Sequence, residues 1–147
     1  MSSTTTQAPA FPKILSQSAD AINWRGAHWF VRVPLAIILF DQGWVKMLDL
    51  TGQAEANGIP LFLFFLAALA EVGGAAGLIV GGAALSLNLT GWKTQAGDLL
   101  TRVSGFAIAA IVAGVIYMFY FDSFYSMRDH LMLLAGGLLF MLRGNKV

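Results

Sequence analysis

Apolar residues fall in four long blocks separated by short polar stretches. Crossing a bilayer's hydrocarbon core takes about 20 mostly apolar residues in a helix. The first block runs from Trp29 to Leu48, with Pro34 in its opening turns, where a missing N–H is best tolerated. Asp49, Gly52, Gln53, Glu55, Asn57 and Gly58 form a polar connection, and Pro60 opens a second block reaching about Gly82 or on toward Leu89. Thr90 to Asp98 is a polar loop with Trp92 and Lys93, and the third block covers Leu99 to Phe121. After Asp122 to Asp129, a shorter run from His130 to Leu142 makes the fourth. At about 1.5 Å per residue it spans only if the Met127–Asp129 turn is helical or the bilayer thins around it. The pattern predicts an all-α, polytopic membrane protein, a four-transmembrane-helix bundle over residues 29–147.

Residues 1–28 read as a cytoplasmic tail. Met1 to Ala10 is rich in Ser and Thr and lacks the layout of a secretory signal. From Pro12 onward, Leu15, Ala19 and Ile22 recur at helical spacing before Trp24, Arg25 and Trp29. Two forms are open for this stretch, a short helix lying at the interface or plain coil.

Composition agrees with the block pattern. Only 12% of the 147 residues are charged and 57% are hydrophobic, against about 25% charged in soluble domains. The net charge of +1 offers no field for nucleic acid. Absence of cysteine removes disulfides, thiolate metal sites and iron–sulfur clusters from this chain. Lys13, Arg25, Arg32, Lys93, Arg102, Arg143 and Lys146 fall on one side of the predicted spans, and only Lys46 and Arg128 on the other. The bias places both termini in the cytoplasm.

Asp41 and Glu71 stand out within these blocks, because a charged side chain at the bilayer centre costs about 2.5–3.5 kcal/mol. Both are expected to be sheltered inside the bundle. Arg32, Leu39 and Lys46 are seven apart and share one stripe, with Gln42 and Gly43 beside it. Lys46 or Gln42 is therefore placed to meet Glu71, although Lys46 is also near enough to the outer interface to snorkel. Asp41 lies on nearly the opposite side from Arg32. Two polar faces on one helix predict that protein surrounds it on most sides. His130, opening the fourth block, is a candidate neighbour for Asp41, for proton exchange at a hydrated pocket; a structural hydrogen bond to another helix is the alternative.

His28 and His130 sit at opposite ends of the bundle, so this chain alone cannot ligate both faces of a haem, and no metal-ligand spacing is present. Met118, Met127 and Met132 are expected to pack rather than bind copper. Gly73, Gly77 and Gly81, and Gly105, Ala109 and Ala113, form small-residue ridges suited to close helix contact, within the bundle or in a homo-oligomer.

Taken together, Arg32, the run Phe40-Asp41-Gln42-Gly43-Trp44-Val45-Lys46-Met47, Asn57-Gly58-Ile59-Pro60, Glu71-Val72-Gly73-Gly74-Ala75-Ala76-Gly77-Leu78 and Leu100-Thr101-Arg102 resemble the DoxX family of small bacterial membrane proteins. The resemblance covers roughly Arg32 to Leu142. Asp41 departs from the pattern, where a neutral or aromatic residue is expected. Lys46 and Glu71 match family positions, Arg32 more loosely. The resemblance implies four helices in the bacterial cytoplasmic membrane and a link to redox chemistry. Some such proteins are subunits of quinone-linked sulfur oxidation, and others accompany partner oxidoreductases.

Three functions follow as expectations. The first is an accessory or anchoring subunit of a redox or respiratory membrane complex. The second is a quinone-linked oxidoreductase subunit with a polar intramembrane site drawn from Arg32, Asp41, Gln42, Lys46, Glu71 and His130. The third is a small proton-coupled carrier, which the few helices and lack of a repeat disfavour. No cofactor is expected to be held covalently or by Cys or His; a quinone is the one candidate.

Overall fold

A computed structural model of the protein describes residues 26–146. The interfacial segment expected over Pro12–Ile22 lies outside the described residues. Five α-helices and no strand occur among the described residues: α1 (Trp29–Leu48), α2 (Leu50–Ala56), α3 (Leu61–Ser86), α4 (Trp92–Val115) and α5 (Phe124–Arg143). A π-helical turn, Ile116–Tyr120, extends α4.

Helix boundaries follow local chemistry. Helix α1 runs through Pro34 without breaking. The polar connection after it is partly helical: Asp49 caps α2, its Oδ1 accepting from Gly52 N at 3.0 Å. Gly58 adopts φ +65°, and Pro60 then starts α3. Helix α4 begins at Trp92, earlier than the apolar pattern indicates, because Lys93 to Asp98 continue the helix as a polar first turn and a half. Likewise α5 begins at Phe124 and includes Met127–Asp129. The Met127–Asp129 turn is thus helical, and the 20 residues of α5 amount to about 30 Å.

Helices α3 and α4 with its extension are long and apolar enough to cross a membrane. Helices α1 and α5 have 20 residues each and three charged residues apiece, Arg32, Asp41 and Lys46 in one, Arg128, Asp129 and Arg143 in the other. The three of α4, Lys93, Asp98 and Arg102, are instead confined to its first half and leave a long apolar remainder. In the packing order α1–α3–α4–α5, each helix lies against the next, while α1 and α5 barely touch. Leu39, Leu78, Ile108 and Phe140, each fully buried, form the core where the four meet.

Glycines set the close approaches. A Cβ on Gly105 would meet the backbone of Gly137 and Phe140 at 2.7–2.8 Å, so α4 and α5 cross backbone to backbone there. The ridge positions Gly77 and Gly81 face Ser104 and Thr101 of α4. Gly73 has open space instead, so the two halves of that ridge do different things.

Among the described residues, the expected enclosure of α1 is not met. Ile37, Phe40, Trp44 and Asp41 are exposed, because α1 has a close neighbour on one side only.

Candidate functional site

The stripe Arg32–Leu39–Lys46 does face inward. Arg32 and Leu39 are fully buried and Lys46 partly so. Fourteen residues separate the two cations, about 21 Å along a helix axis. They therefore serve two different polar centres.

At the first centre, Lys46 Nζ donates to Glu71 Oε1, an ion pair between α1 and α3. Glu71 is 2% exposed, so the expected link to Lys46, not Gln42, is the one formed. Gly43 permits the approach: a Cβ there would lie 2.9 Å from Glu71 Cβ and 2.8 Å from Val72 Cγ2. The ammonium also sits 6.0 Å from the Phe64 ring centroid. Glu71 Oε2 is buried and has no hydrogen-bond partner among the described residues.

That pair lines a cavity of about 810 Å³ between α1, α3, α4 and the start of α5. Asp41, Gln42 and His130 line it too, together with Tyr120 of the π-helical turn. The wider helical turn carries Tyr120 onto His130, whose rings stack at 4.3 Å between centroids. His130 Nδ1 is buried and without a partner among the described residues. Leu63, Phe64, Ile111 and Val115 supply apolar wall. Four of the expected site residues thus share one space with Glu71: Asp41, Gln42, Lys46 and His130.

Asp41 does not meet His130 through a hydrogen bond; both face the cavity. Nor is it sheltered as Glu71 is. It is exposed at the outer flank of α1, and among the described residues it makes no hydrogen bond or ion pair. A second hollow of about 590 Å³ opens on that flank, between α1 and α3, with Asp41 at its rim.

Arg32 stands outside the cavity and anchors the second centre, at the opposite end of the bundle. Its guanidinium donates to Leu78 O (2.7 Å), Thr101 Oγ1 (3.2 Å) and Asn145 Oδ1 (2.7 Å), and lies 4.5 Å from the Phe140 ring centroid. Asn145 in turn donates from its amide to Gly81 O and from its backbone to Asp98 Oδ1. Asp98 also pairs with Arg102 at 2.8 Å, and Arg102 donates to the last carbonyls of α5, Leu142 O at 2.7 Å among them. His28 is buried beside this centre, both ring nitrogens without partners among the described residues. Burial first, and the Arg32 charge second, push its imidazole below the usual histidine value.

The sequence pattern marked Arg32, and Thr101 only within the Leu100-Thr101-Arg102 run of the resemblance, but neither Asn145 nor Tyr120 as a site residue. Asn145 follows α5 and Tyr120 ends the π-helical turn, and only the tertiary crossing makes them partners. The chain matches no known family model, no characterised protein and no solved structure.

Proposed function

We propose that the chain is a DoxX-like integral membrane protein of four spans, α1, α3, α4 and α5, with both termini cytoplasmic in a bacterial inner membrane. We propose further that its lateral cavity binds a quinone, in a quinone-linked membrane subunit.

The observation that carries this reading is the Lys46–Glu71 pair at the wall of the roughly 810 Å³ cavity. Ligand sites combine an apolar lining with a few convergent polar groups. A quinone has that character: an apolar ring and tail with two carbonyl oxygens. Lys46 is placed to donate to one carbonyl oxygen while remaining bound to Glu71. The open Oε2 of Glu71 is placed to pass a proton, and His130 offers a second exchangeable group within the same space. Arg32 has no part in it, being committed to Leu78, Thr101 and Asn145. Electrons come from a partner subunit, since the chain has no cysteine.

Purification in mild detergent, followed by solvent extraction, tests the reading. Near-stoichiometric quinone in the wild type and its loss in Glu71→Gln are expected. An extract free of quinone, from protein that also fails to take up added quinone, rejects the ligand.

The accessory-subunit role has a separate basis, the outward face of α1, where Asp41 has no ion pair among the described residues.

A further inference from the structure

The hollow on the outer flank of the bundle is built like a seat for a helix. Ala36 of α1 and Ala76 of α3 form a low floor, and Gly73, one turn before Ala76, has nothing within 4 Å of its Cβ position. Phe40 and Trp44 stack at 5.9 Å, with planes 10° apart, and make one wall. Val80 continues the apolar surface. Small residues of this kind let two helix backbones approach closely in lipid.

Its single charged lining residue is Asp41, the thirteenth of the 20 residues of α1. That places it away from either end of a span, where a carboxylate facing acyl chains has neither water nor cation. A second copy of this chain does not repair this. Among the described residues, Lys46 is paired with Glu71, Arg32 is enclosed and Arg102 is committed to Asp98 and the last carbonyls of α5, while Lys93, Arg128, Arg143 and Lys146 lie toward helix ends or beyond them. A symmetric dimer through this face would oppose two Asp41 carboxylates.

We infer that the α1–α3 hollow docks a transmembrane helix of a different protein, one that carries a Lys or Arg at mid-span facing Asp41. The cation satisfies the carboxylate, and the partner's backbone rests on Gly73, Ala76 and Ala36. The inference shares the membrane setting of the proposed function, and Asp41 borders both spaces; Ala76 and Gly73 lie outside the quinone cavity, so the floor of the hollow is tested apart from the ligand.

The test places the labelled full-length protein in vesicles of phosphatidylcholine and phosphatidylglycerol with a synthetic Leu/Ala transmembrane peptide bearing one central Lys. Energy transfer reports association. The Lys peptide is expected to bind about tenfold more tightly than the same peptide with Leu at that site. The preference is expected to vanish in Asp41→Asn and in Ala76→Leu, which fills the floor while leaving the carboxylate. Equal binding of the two peptides, or a preference that survives Ala76→Leu, overturns the inference. Self-association of the wild type that is lost in Asp41→Asn overturns it in favour of a homo-oligomer. Quinone uptake measured on the same Ala76→Leu protein separates the two readings: loss of ligand there counts against the cavity, not the groove. Protein that does not float with the vesicles defeats both.

Discussion

Arg32 Nη2 and Asn145 Oδ1 meet at 2.7 Å across 113 positions of sequence, tying the first turn of α1 to the residues that follow α5. Asn145 uses its backbone N–H and both side-chain heteroatoms at once, toward Asp98, Arg32, Thr101 and Gly81. Since α1 and α5 barely touch elsewhere, this clasp closes the ring of helices at one end. Asn145→Ala leaves a buried guanidinium and hydroxyl short of an acceptor, so a loss of about 1–3 kcal/mol is expected. Unfolding in mixed micelles by increasing dodecyl sulfate measures it.

The Lys46–Glu71 pair is expected to behave asymmetrically. Lys46→Met strands a buried carboxylate and costs about 3–5 kcal/mol, whereas Lys46→Met combined with Glu71→Leu recovers most of that loss. A double-mutant cycle on the same unfolding transition reads the coupling. Equal destabilisation by the single and double changes would mean that the pair is not enclosed.

Two glycines, Gly43 of α1 and Gly114 of α4, separate packing from open space. Gly43→Ala drives a methyl against Val72, Glu71 and the Ala68 carbonyl, at 2.8, 2.9 and 3.0 Å. A cost of about 1–3 kcal/mol is expected, with the ion pair disturbed. Gly114→Ala meets nothing within 4 Å, and its better helix propensity makes it neutral or stabilising by up to about 1 kcal/mol. Thermal midpoints in detergent compare them.

Much of this was legible in the chain itself. The block from Trp29 to Leu48 coincides with α1, since its apolar residues are bounded by a charged residue and a turn. The inward stripe through Arg32, Leu39 and Lys46 was readable from helical spacing, but spacing left Lys46 and Gln42 both open as partners of Glu71, and only the packing of α1 on α3 selects Lys46. Starts of α4 and α5 were not legible, because Lys93–Asp98 and Tyr125–Asp129 are polar yet helical, and hydropathy reports lipid contact rather than backbone hydrogen bonding. Nor could spacing along one helix show that Arg32 and Lys46 belong to separate centres. That depends on where Asn145 returns, a contact between chain ends. Asp41 was expected inside because it is acidic; its outward position follows from the open side of α1, a property of the assembly order of the helices.

His28 makes the clasp end of the bundle pH-sensitive. Its imidazole is held below the usual value of 6.5 by burial and then by Arg32. An unfolded chain takes up a proton near 6.5 that the folded chain refuses until lower pH. Stability is therefore level above that value and falls as pH drops from 6.5 toward the lowered folded value. Thermal midpoints recorded between about pH 8 and pH 5 are expected to decline on the acid side in the wild type and to decline less in His28→Phe.

Because the chain has no cysteine, a single introduced thiol reports on the cavity alone. Gly114 lines that space with room beside it, so Gly114→Cys puts the thiol in the wall without displacing a neighbour. Its modification by N-ethylmaleimide in nanodiscs is timed with and without a fully substituted alkyl benzoquinone, whose ring leaves no open position for the thiol. Occupancy of the cavity predicts protection that deepens with quinone concentration and disappears when Lys46→Met is added. A modification rate indifferent to the quinone, in protein whose fold is intact, would contradict the proposed site.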